Sequence, residues 1–424
     1  MNTHGFAVKN GQLQIGEFAV SAIAKKYGTP LYLMDESRIR SQMRLYKKMF
    51  KDKEIKTEIC YASKAFLNKA MAQVVKEEGL FIDTVSGGEI YTALAADFDP
   101  KHIVFHGNNK TVEELKYAID VQVGLIVVDN IEEFERLSQL TNKKISILFR
   151  VNPGVEAHTH KYIATSTLDS KFGINLFDEK LIKLIEKAKD HPYLEFKGLH
   201  AHIGSQILDE SSYVEELEAF FKQIKVFNEQ GIDLEILNIG GGFGVQYTSK
   251  DEAIDLEKVL PAILKNAKAL AHKYDIKCPS LYIEPGRSIV AEAGINVYKI
   301  GSIKKTPNKH FILVDGSFQD SIRASLYQAE YEAILVDKAN QEANTKVNIV
   351  GRACESGDII VTECLLGDVQ VDDLVAVFTT GAYHYSMANN YNRFTKPAVV
   401  FVNGDTSRIV VKRETYEDLI RNDL

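Results

Sequence analysis

Short apolar runs alternate with longer amphipathic segments over the first two thirds of the chain. The runs are rich in β-branched residues, as strands are, and the segments between them carry apolar residues at helical spacing. The predicted strands are 57–62, 80–84, 103–106, 125–129, 145–151, 196–203, 235–239 and 281–284. The predicted helices are 66–78, 112–121, 130–140, 177–190, 214–229 and 255–273.

The predicted strands at 125–129 and 145–151 are apolar almost throughout. A strand has this composition when both of its faces are covered, as in a parallel sheet flanked by helices. Eight strand–helix steps in succession therefore predict a (β/α)8 barrel of the TIM type. An open, doubly wound sheet is the alternative that the same pattern allows.

The pattern changes near residue 290 to short β-branched runs separated by Gly, Asp, Asn or Pro. These runs are 296–304, 311–315, 346–350, 358–365, 374–378, 398–403 and 408–412, followed by a predicted helix at 414–422. They predict an all-β domain. We therefore expect N-terminal strands in 1–28 that join the β-domain, a (β/α)8 barrel in 29–288 and a C-terminal all-β domain in 289–424.

Composition narrows the classes of function. The 424 residues include 51 Lys and Arg against 58 Asp and Glu, which gives a formal net charge of −7. Such a chain lacks the basic surface that general binders of nucleic acid or anionic membranes need. No apolar run approaches the ~18 residues of a membrane span. Four scattered cysteines and a start without a signal-peptide pattern predict a reduced, cytoplasmic protein.

Polar or glycine residues follow every predicted strand. In chain order they are Lys64, Asp83, His106, Asp129, Arg150, His202, the run Gly240, Gly241 and Gly242, and Glu284 with Arg287. A barrel gathers the C-terminal ends of its strands on one face, where its active site lies. Each residue alone could be an ordinary turn former. Together, an amine, acids, an imidazole, guanidinium groups and a glycine run predict a catalytic face.

Two motifs late in the barrel segment could hold a phosphate. NIGGGFG at 238–244 offers backbone N–H groups that an anion can approach closely, and EPGR adds Pro285, Gly286 and Arg287. NIGGGFG is not a dinucleotide fingerprint, because Val245 stands where G-x-G-x-x-G requires glycine. A flexible turn and an exposed Glu–Arg pair are the ordinary alternatives.

Lysine and histidine supply further candidates. Lys64 in YASKA could bond covalently to a carbonyl group, although a solvated loop lysine is more common. His200 and His202 share a strand face, and His158 and His160 lie upstream. No acid is spaced to complete a metal site with these histidines, so we predict no metal.

Two motifs in the predicted β-domain carry further functional groups. CESGD places Cys354 beside Glu355, and GAYHYSMANNYN at 381–392 is rich in aromatic and amide residues, with Tyr383 after a Gly-Ala step. Taken alone, Cys354 is more simply interpreted as a buried thiol and Tyr383 as a packing residue.

These motifs together resemble one enzyme family. The motifs are YASKAF, IDTVSGGE, HGNNKT, RVNPGVEAHTH, DSKFG, HIGSQI, GGGFG, EPGRSIV, CESGD and GAYHYSMANNYN. From about Tyr32 to Pro397 the sequence resembles the diaminopimelate decarboxylases, which are alanine-racemase-like, fold type III pyridoxal-phosphate enzymes. One segment departs from the family pattern, with Phe318 and Ala324 where Met and Pro are usual.

The resemblance implies pyridoxal 5'-phosphate as the cofactor. Lys64 would bind it covalently, Glu284 would pair with its ring nitrogen, and His202 would stack on its ring. Asp83 and Arg150 would position Lys64 and Glu284. The phosphate would be held by Ser205, Gly240, Gly241, Gly242, Arg287 and Tyr383, with Pro285 and Gly286 also at the cofactor.

The implied reaction converts meso-2,6-diaminopimelate to L-lysine and CO2, the last step of lysine biosynthesis. Cys354 would reprotonate the product, completing a catalytic set with Lys64, Glu284 and His202. Substrate contacts would come from Arg287, Arg323, Tyr327, Glu355 and Tyr383, with Glu355 at the distal ammonium. In this family the CESGD loop serves the partner subunit, which implies a homodimer with shared sites.

Three alternatives stay open on the same scaffold. The chain could decarboxylate another basic amino acid, such as ornithine, arginine or carboxynorspermidine. It could be a racemase, although Cys354 suits proton donation after decarboxylation better than the role of a second base. It could be a non-catalytic pyridoxal-phosphate-binding homologue, although such a protein would be expected to have lost Lys64 or the glycine run.

Overall fold

The computed structural model describes residues 3–155 and 170–424. Two compact units make up the chain. The barrel unit comprises Gln42–Val245 and Ala253–Gly286. The β-rich unit comprises Met1–Ser41, Gln246–Glu252 and Arg287–Leu424.

Eight parallel strands form the closed sheet of the barrel unit. The first to eighth barrel strands are Thr57–Ala62, Phe81–Thr84, Ile103–Phe105, Leu125–Val128, Ile145–Asn152, Leu194–His200, Ile236–Asn238 and Ser280–Ile283. Each pairs with the next in the chain, and the eighth pairs with the first. The predicted (β/α)8 barrel is therefore confirmed, and the open sheet is excluded. A short strand, Ile174–Asn175, pairs with the fifth barrel strand.

The barrel strands are apolar because both of their faces are covered. All four residues of the fourth strand are buried. Cys60, Val104, Val127 and Leu148, which come from the first, third, fourth and fifth strands, belong to one buried cluster. This double burial explains why the sequence shows continuous apolar runs here and not the alternation of a half-exposed strand.

Helices follow the first seven barrel strands. They are Lys69–Glu77, Gly87–Leu94, Val112–Val121, Ile131–Leu140, Glu179–Asp190, Ser211–Glu229 and Leu256–Tyr274, with 3-10 turns at Ser63–Ala65 and Pro100–His102. The side chains of Asn68, Ser86 and Thr111 accept backbone N–H groups at three of the N-termini. A further helix, Glu36–Met49, precedes the first barrel strand.

The β-rich unit contains two sheets. Val8–Lys9, Gln12–Ile15 and Phe18–Ala19 form a three-stranded sheet. The nine-stranded sheet comprises Leu31–Asp35, Gly294–Lys305, His310–Val314, Ala333–Leu335, Thr345–Val350, Ile359–Leu366, Leu374–Val377, Ala398–Asn403 and Thr406–Val411. The β-rich unit also has short helices at Val20–Tyr27, Arg287–Val290, Arg323–Tyr327 and Tyr416–Ile420, with 3-10 turns at Ala291–Ala293, Tyr385–Met387 and Tyr391–Arg393.

The strand Leu31–Asp35 lies in the β-rich unit, whereas the sequence placed residue 29 at the start of the barrel. It pairs antiparallel with Gly294–Lys305 and parallel with Ala398–Asn403. Both of its partners are more than 250 residues away in the chain, and its apolar sequence is the same kind that a barrel strand has. Among the described residues, every helix is too short or too polar to cross a membrane.

Candidate active site

Glu284 follows the eighth barrel strand and is surrounded by polar side chains. Its Oε1 lies 2.8 Å from Nε2 of His106 and accepts a hydrogen bond from Nδ2 of Asn238 at 2.6 Å. Its Oε2 lies 3.0 Å from Nε2 of His200. Burial opposes ionisation, but the two histidines outweigh it and hold the pKa of Glu284 well below its usual range. Glu284 is therefore a buried, ionised carboxylate. The alternative interpretation of EPGR as an exposed Glu–Arg pair is wrong.

Asp83 lies in the second barrel strand and is buried. Burial raises the pKa of Asp83 to about 6, an effect that His106 and Lys64 oppose and Glu284 reinforces. Its Oδ1 lies 3.7 Å from Nε2 of His106. Lys64 itself is exposed, in the turn directly after the first strand. The amine is thus reachable and lies within the electrostatic influence of this acid.

His202 lies two residues beyond the sixth barrel strand, and its Nδ1 accepts a hydrogen bond from the backbone N–H of Gly241 at 3.3 Å. Burial, together with Lys64 and Arg150, lowers the pKa of His202 well below its usual value. The ring is therefore neutral and carries its proton on Nε2. A neutral imidazole can pack against a flat ring without burying a charge.

The glycine run after the seventh strand admits no other residue type. Gly240 and Gly242 have φ values of 69° and 99°, which side chains rarely adopt. A Cβ at Gly241 would collide with the carbonyl oxygen of Glu284. The carbonyl of Gly241 accepts a hydrogen bond from the Tyr213 hydroxyl at 3.0 Å. A closely packed, side-chain-free backbone of this kind lets an anion approach closely, with the N–H groups of Gly240 and Gly241 donating here to Asn238 and His202.

The EPG turn packs against the end of the first strand. The backbone N–H of Ala62 donates to the carbonyl of Pro285 at 3.0 Å, and a Cβ at Gly286 would lie 2.9 Å from that of Ala62. Ala62 comes two residues before Lys64, so the turn that carries Glu284 is joined directly to the turn that carries the amine.

Arg150 in the fifth strand has an acidic neighbour and an aromatic one. Its Nη1 lies 3.8 Å from Oδ1 of Asp129, and its guanidinium lies 4.3 Å from the centre of the Phe172 ring. Glu284 also acts on Arg150 electrostatically. Ser205 is half-buried in the loop after the sixth strand. His158 and His160 lie outside the described residues.

Arg287, Arg323 and Tyr383 come together in the β-rich unit. Arg287 is buried, and its Nη1 donates to the hydroxyl of Tyr247. The guanidinium carbons of Arg287 and Arg323 lie 4.8 and 5.4 Å from the centre of the Tyr383 ring. Tyr327, at the end of the short helix that begins with Arg323, is exposed, with its ring 5.6 Å from the Arg323 guanidinium. Paired guanidinium groups held by aromatic rings suit the binding of carboxylates or phosphates.

Cys354 and Glu355 lie in the exposed turn before the strand Ile359–Leu366. The backbone N–H of Cys354 donates to the side chain of Asn392 at 2.8 Å, which ties this turn to the aromatic loop 381–392. The interpretation of Cys354 as a buried structural thiol is therefore wrong. An exposed thiol and carboxylate side by side are free to meet a ligand.

Comparison with known proteins identifies the family. The model of the pyridoxal-dependent decarboxylase pyridoxal binding domain matches residues 36–291. Diaminopimelate decarboxylase of Bacillus subtilis (strain 168) is 44% identical over 431 residues, covering 100% of this chain and 98% of that protein. This chain belongs to the diaminopimelate decarboxylase family.

Other members of the diaminopimelate decarboxylase family agree in sequence and in structure. The enzyme of Staphylococcus aureus (strain COL) is 44% identical, covering 98% of both chains. Crystal structures of diaminopimelate decarboxylase from M. jannaschii, alone and in co-complex with L-lysine, both align with a TM-score of 0.93 at 34% and 33% identity. Each covers 99% of this chain and 97% of that one.

The cofactor of a diaminopimelate decarboxylase is pyridoxal phosphate, and the residues of the barrel unit fit it. An ionised, buried carboxylate such as Glu284 suits a protonated ring nitrogen. The neutral ring of His202 suits packing on an aromatic ring. The glycine run suits a phosphate, and the exposed amine of Lys64 suits an aldehyde.

Several residues of the site carry no recognisable signal in the sequence. The sequence marks His106 only as a strand end and His200 only as a candidate metal ligand, yet both contact Glu284. His106, His200 and Glu284 each offer one side-chain atom of a type that binds metal ions, and these three atoms lie within 4.8 Å of one another. Lys110, in HGNNKT, is buried and donates to Glu133 at 2.7 Å. The sequence signal for the Lys110–Glu133 pair is the position of Lys110 in the HGNNKT motif, just after the third barrel strand.

Proposed function

We propose that this chain decarboxylates meso-2,6-diaminopimelate to L-lysine and CO2, the last step of lysine biosynthesis, using pyridoxal 5'-phosphate. The observation that carries the proposal is the 44% identity to a diaminopimelate decarboxylase over the full chain. The M. jannaschii enzyme that shares this fold has been crystallised with L-lysine, the product of the proposed reaction.

The residues of the barrel unit would hold the cofactor and control its protonation. When bound, pyridoxal phosphate supplies an electron sink for the electron pair that CO2 leaves behind. Lys64 would anchor the cofactor covalently, with Asp83 beside it. Glu284 would hold a proton on the ring nitrogen, because an ionised carboxylate stabilises a neighbouring positive charge. His202 would pack on the ring, and Arg150 would help to keep Glu284 in place.

The phosphate would bind to Gly240, Gly241, Gly242, Ser205, Arg287 and Tyr383, with Pro285 and Gly286 shaping the turn beside it. The backbone groups are set in position before binding, so they lose little freedom when the phosphate arrives. Arg287 already has its guanidinium fixed by Tyr247 and by the ring of Tyr383. The glycine run and Arg287 would therefore each offer the phosphate donors whose orientation is already set within their own unit.

The substrate's far end would be recognised by residues of the β-rich unit. Arg323 and Tyr327, with Arg287 and Tyr383, would bind the distal carboxylate, and Glu355 would bind the distal ammonium. Cys354 would return a proton to the α-carbon after CO2 has left. An assay of purified protein with meso-diaminopimelate, lysine, ornithine and arginine, following CO2 release, tests the proposal. Turnover of ornithine or arginine in preference to diaminopimelate would refute it.

We further propose a cytoplasmic homodimer in which Cys354 and Glu355 complete the partner's site. The four free thiols fit a reducing compartment. Cys354 and Glu355 are exposed, and Leu326, Tyr327 and Leu365 of the same unit are each 52% exposed. Exposed apolar side chains mark an interface where they form one contiguous patch, and a patch of this kind would be covered in the dimer.

Mixing two impaired variants tests the shared site. The Lys64→Ala and Cys354→Ala homodimers each lack one catalytic group in both sites. If each site takes Lys64 from one subunit and Cys354 from the other, random re-association gives a heterodimer with one intact site, and activity returns to roughly a quarter of wild type. Absence of any recovery after demonstrated subunit exchange would contradict sharing. A mixture of each variant with itself is the control.

A further inference from the structure

A chain of hydrogen bonds connects Arg323 to the interior of the β-rich unit. Nε of Arg323 donates to the hydroxyl of Tyr331 at 2.9 Å. That hydroxyl lies 3.0 Å from Nε2 of His384, and Nδ1 of His384 lies 3.2 Å from the hydroxyl of Ser321. Tyr331, His384 and Ser321 are all buried. Only Arg323, at one end of this chain, is half-exposed.

The direction of every bond in this chain follows from Arg323. A guanidinium can only donate, so the Tyr331 oxygen accepts from it and directs its own proton toward His384. Nε2 of His384 must then accept, which places the ring proton on Nδ1, where it donates to Ser321. Burial, with Arg323 and Arg287 nearby, holds the pKa of His384 well below its usual value, so the ring is neutral. The chain therefore has one consistent arrangement of protons.

This arrangement fixes the Arg323 side chain without using its terminal nitrogens. The rings of Tyr247 and Tyr383 lie 5.7 and 5.4 Å from its guanidinium carbon, and Tyr331 takes the Nε–H group. The paired Nη groups are the part of an arginine that binds a carboxylate through two hydrogen bonds. A guanidinium held at Nε can present that pair in one fixed orientation.

We propose that Tyr331 and His384 are positioning residues that orient Arg323 and thereby set the selectivity for an amino acid with a second carboxylate. This inference rests on the proposed function, in which Arg323 binds the distal carboxylate. A fixed guanidinium loses less freedom on binding than a mobile one. Neither Tyr331 nor His384 needs to touch the substrate for this effect.

Tyr331→Phe keeps the ring and removes the hydroxyl that joins Arg323 to His384. We expect its KM for meso-diaminopimelate to rise roughly tenfold, the usual scale for losing a hydrogen bond to a charged group, with kcat within about twofold of wild type. Binding of 1,5-diaminopentane, followed by its effect on the cofactor's absorption, should be unchanged because this diamine has no carboxylate, whereas the product L-lysine keeps the distal carboxylate and should bind more weakly. A merely structural defect would weaken the diamine as well.

Two substitutions at His384 separate hydrogen bonding from packing. His384→Gln keeps an acceptor for the Tyr331 hydroxyl and should retain most of the wild-type KM, whereas His384→Leu should match Tyr331→Phe. Tyr27→Phe is the matched control. The Tyr27 hydroxyl donates to the Ser407 carbonyl at 2.9 Å in the same unit and takes no part in the hydrogen bonds that link Arg323 to His384. If Tyr331→Phe weakens the binding of 1,5-diaminopentane and of diaminopimelate equally, or weakens neither, the inference is overturned. Wild-type protein that does not turn over diaminopimelate would instead overturn the proposed function.

Discussion

Nε2 of His200 lies 3.0 Å from Oε2 of Glu284, although the two residues are separated by 84 positions in the chain. Burial lowers the pKa of His200 to about 4, an effect that Glu284 opposes, so the ring is neutral at physiological pH. Because an ionised carboxylate can only accept, His200 donates from Nε2. Asn238 donates to the other oxygen at 2.6 Å. The Glu284 carboxylate is therefore oriented from both sides.

Replacing Glu284 by Gln should abolish most turnover while the cofactor still binds. The amide keeps the shape of the side chain but loses the negative charge that would hold a proton on the ring nitrogen. We expect kcat to fall by roughly two orders of magnitude or more, measured beside the cofactor content of the purified protein. Glu235→Gln, at an exposed position before the seventh strand, is the control. Near-normal turnover of Glu284→Gln would rule out the ring-nitrogen role.

Lys64 should be the residue that borohydride fixes to the cofactor. Its side chain is exposed in the turn after the first strand, where an aldehyde can reach it. Reduction followed by peptide mapping should place the label on Lys64, and Lys64→Ala should lose it. Lys110 provides an internal comparison, because it is buried and bonded to Glu133 and so should stay unlabelled. Label on any lysine other than Lys64 would refute the assignment.

The barrel was predictable because each of its strands is a local signal. Burial on both faces leaves continuous apolar runs such as 125–128, and these can be recognised without knowing their partners. The strand Leu31–Asp35 has the same composition, but its sheet is defined by pairing with residues near 295 and 400. Composition carries no record of such distant pairing, so the boundary at residue 29 differed from the structure.

The site was predictable as a set of residues but not as a set of contacts. A closed barrel brings the ends of all of its strands to one face, so Lys64, Asp83 and Glu284 could be grouped from chain order alone. The contacts of His200 with Glu284 and of Tyr331 with His384 depend on register and side-chain direction. No periodic pattern marks Tyr331, and its role became visible only through geometry.

Glu216 should make the protein's stability depend on pH. It is fully buried in the helix Ser211–Glu229, and neither carboxylate oxygen has a hydrogen-bond partner among the described residues. Burial raises its pKa well above the usual value. Above the pKa of the unfolded state, near ~4.3, folding must then keep a proton that the unfolded chain releases, and this lowers stability as pH rises.

Glu216→Gln removes this penalty. Relative to wild type, the variant should gain up to about 1.4 kcal/mol of unfolding free energy per pH unit from about pH 4.5 upward, until the folded-state pKa is passed. Denaturant unfolding at pH 5 and pH 8 measures the difference. Glu218→Gln is the matched control on the same helix, where hydrogen bonds from Lys273 and Tyr274 lower the pKa. Its effect should have the opposite sign, and an equal gain at both pH values for Glu216→Gln would contradict the argument.

Cys354→Ala should slow turnover and lower the fraction of correctly protonated product. If the thiol returns the proton after CO2 has left, its removal leaves the carbanion waiting for a less well-placed donor. We expect a lower kcat and a larger fraction of by-product protonated at the wrong carbon, measured by chromatography of the products. Cys278→Ala, at a half-buried thiol just before the eighth strand, is the control. A clean product at the normal rate would assign the proton to another group.

Arg323 should decide between diaminopimelate and lysine, which differ by one carboxylate. When lysine binds as a substrate, with its single carboxylate at the reacting carbon, Arg323 and Tyr327 lose the partner that diaminopimelate offers, and each unpaired polar group costs ~1–3 kcal/mol, more when it is charged. Wild-type protein should therefore prefer diaminopimelate on the order of 10⁴-fold in kcat/KM. Arg323→Ala should raise the KM for diaminopimelate steeply and narrow that ratio. Arg323→Lys keeps the charge but loses the Nε contact to Tyr331 and the paired Nη groups, so it should recover only part of the preference. If Arg323→Lys recovered the full preference, the site would recognise charge alone. If Arg323→Ala left the ratio of kcat/KM for diaminopimelate and lysine unchanged, the distal carboxylate would bind elsewhere.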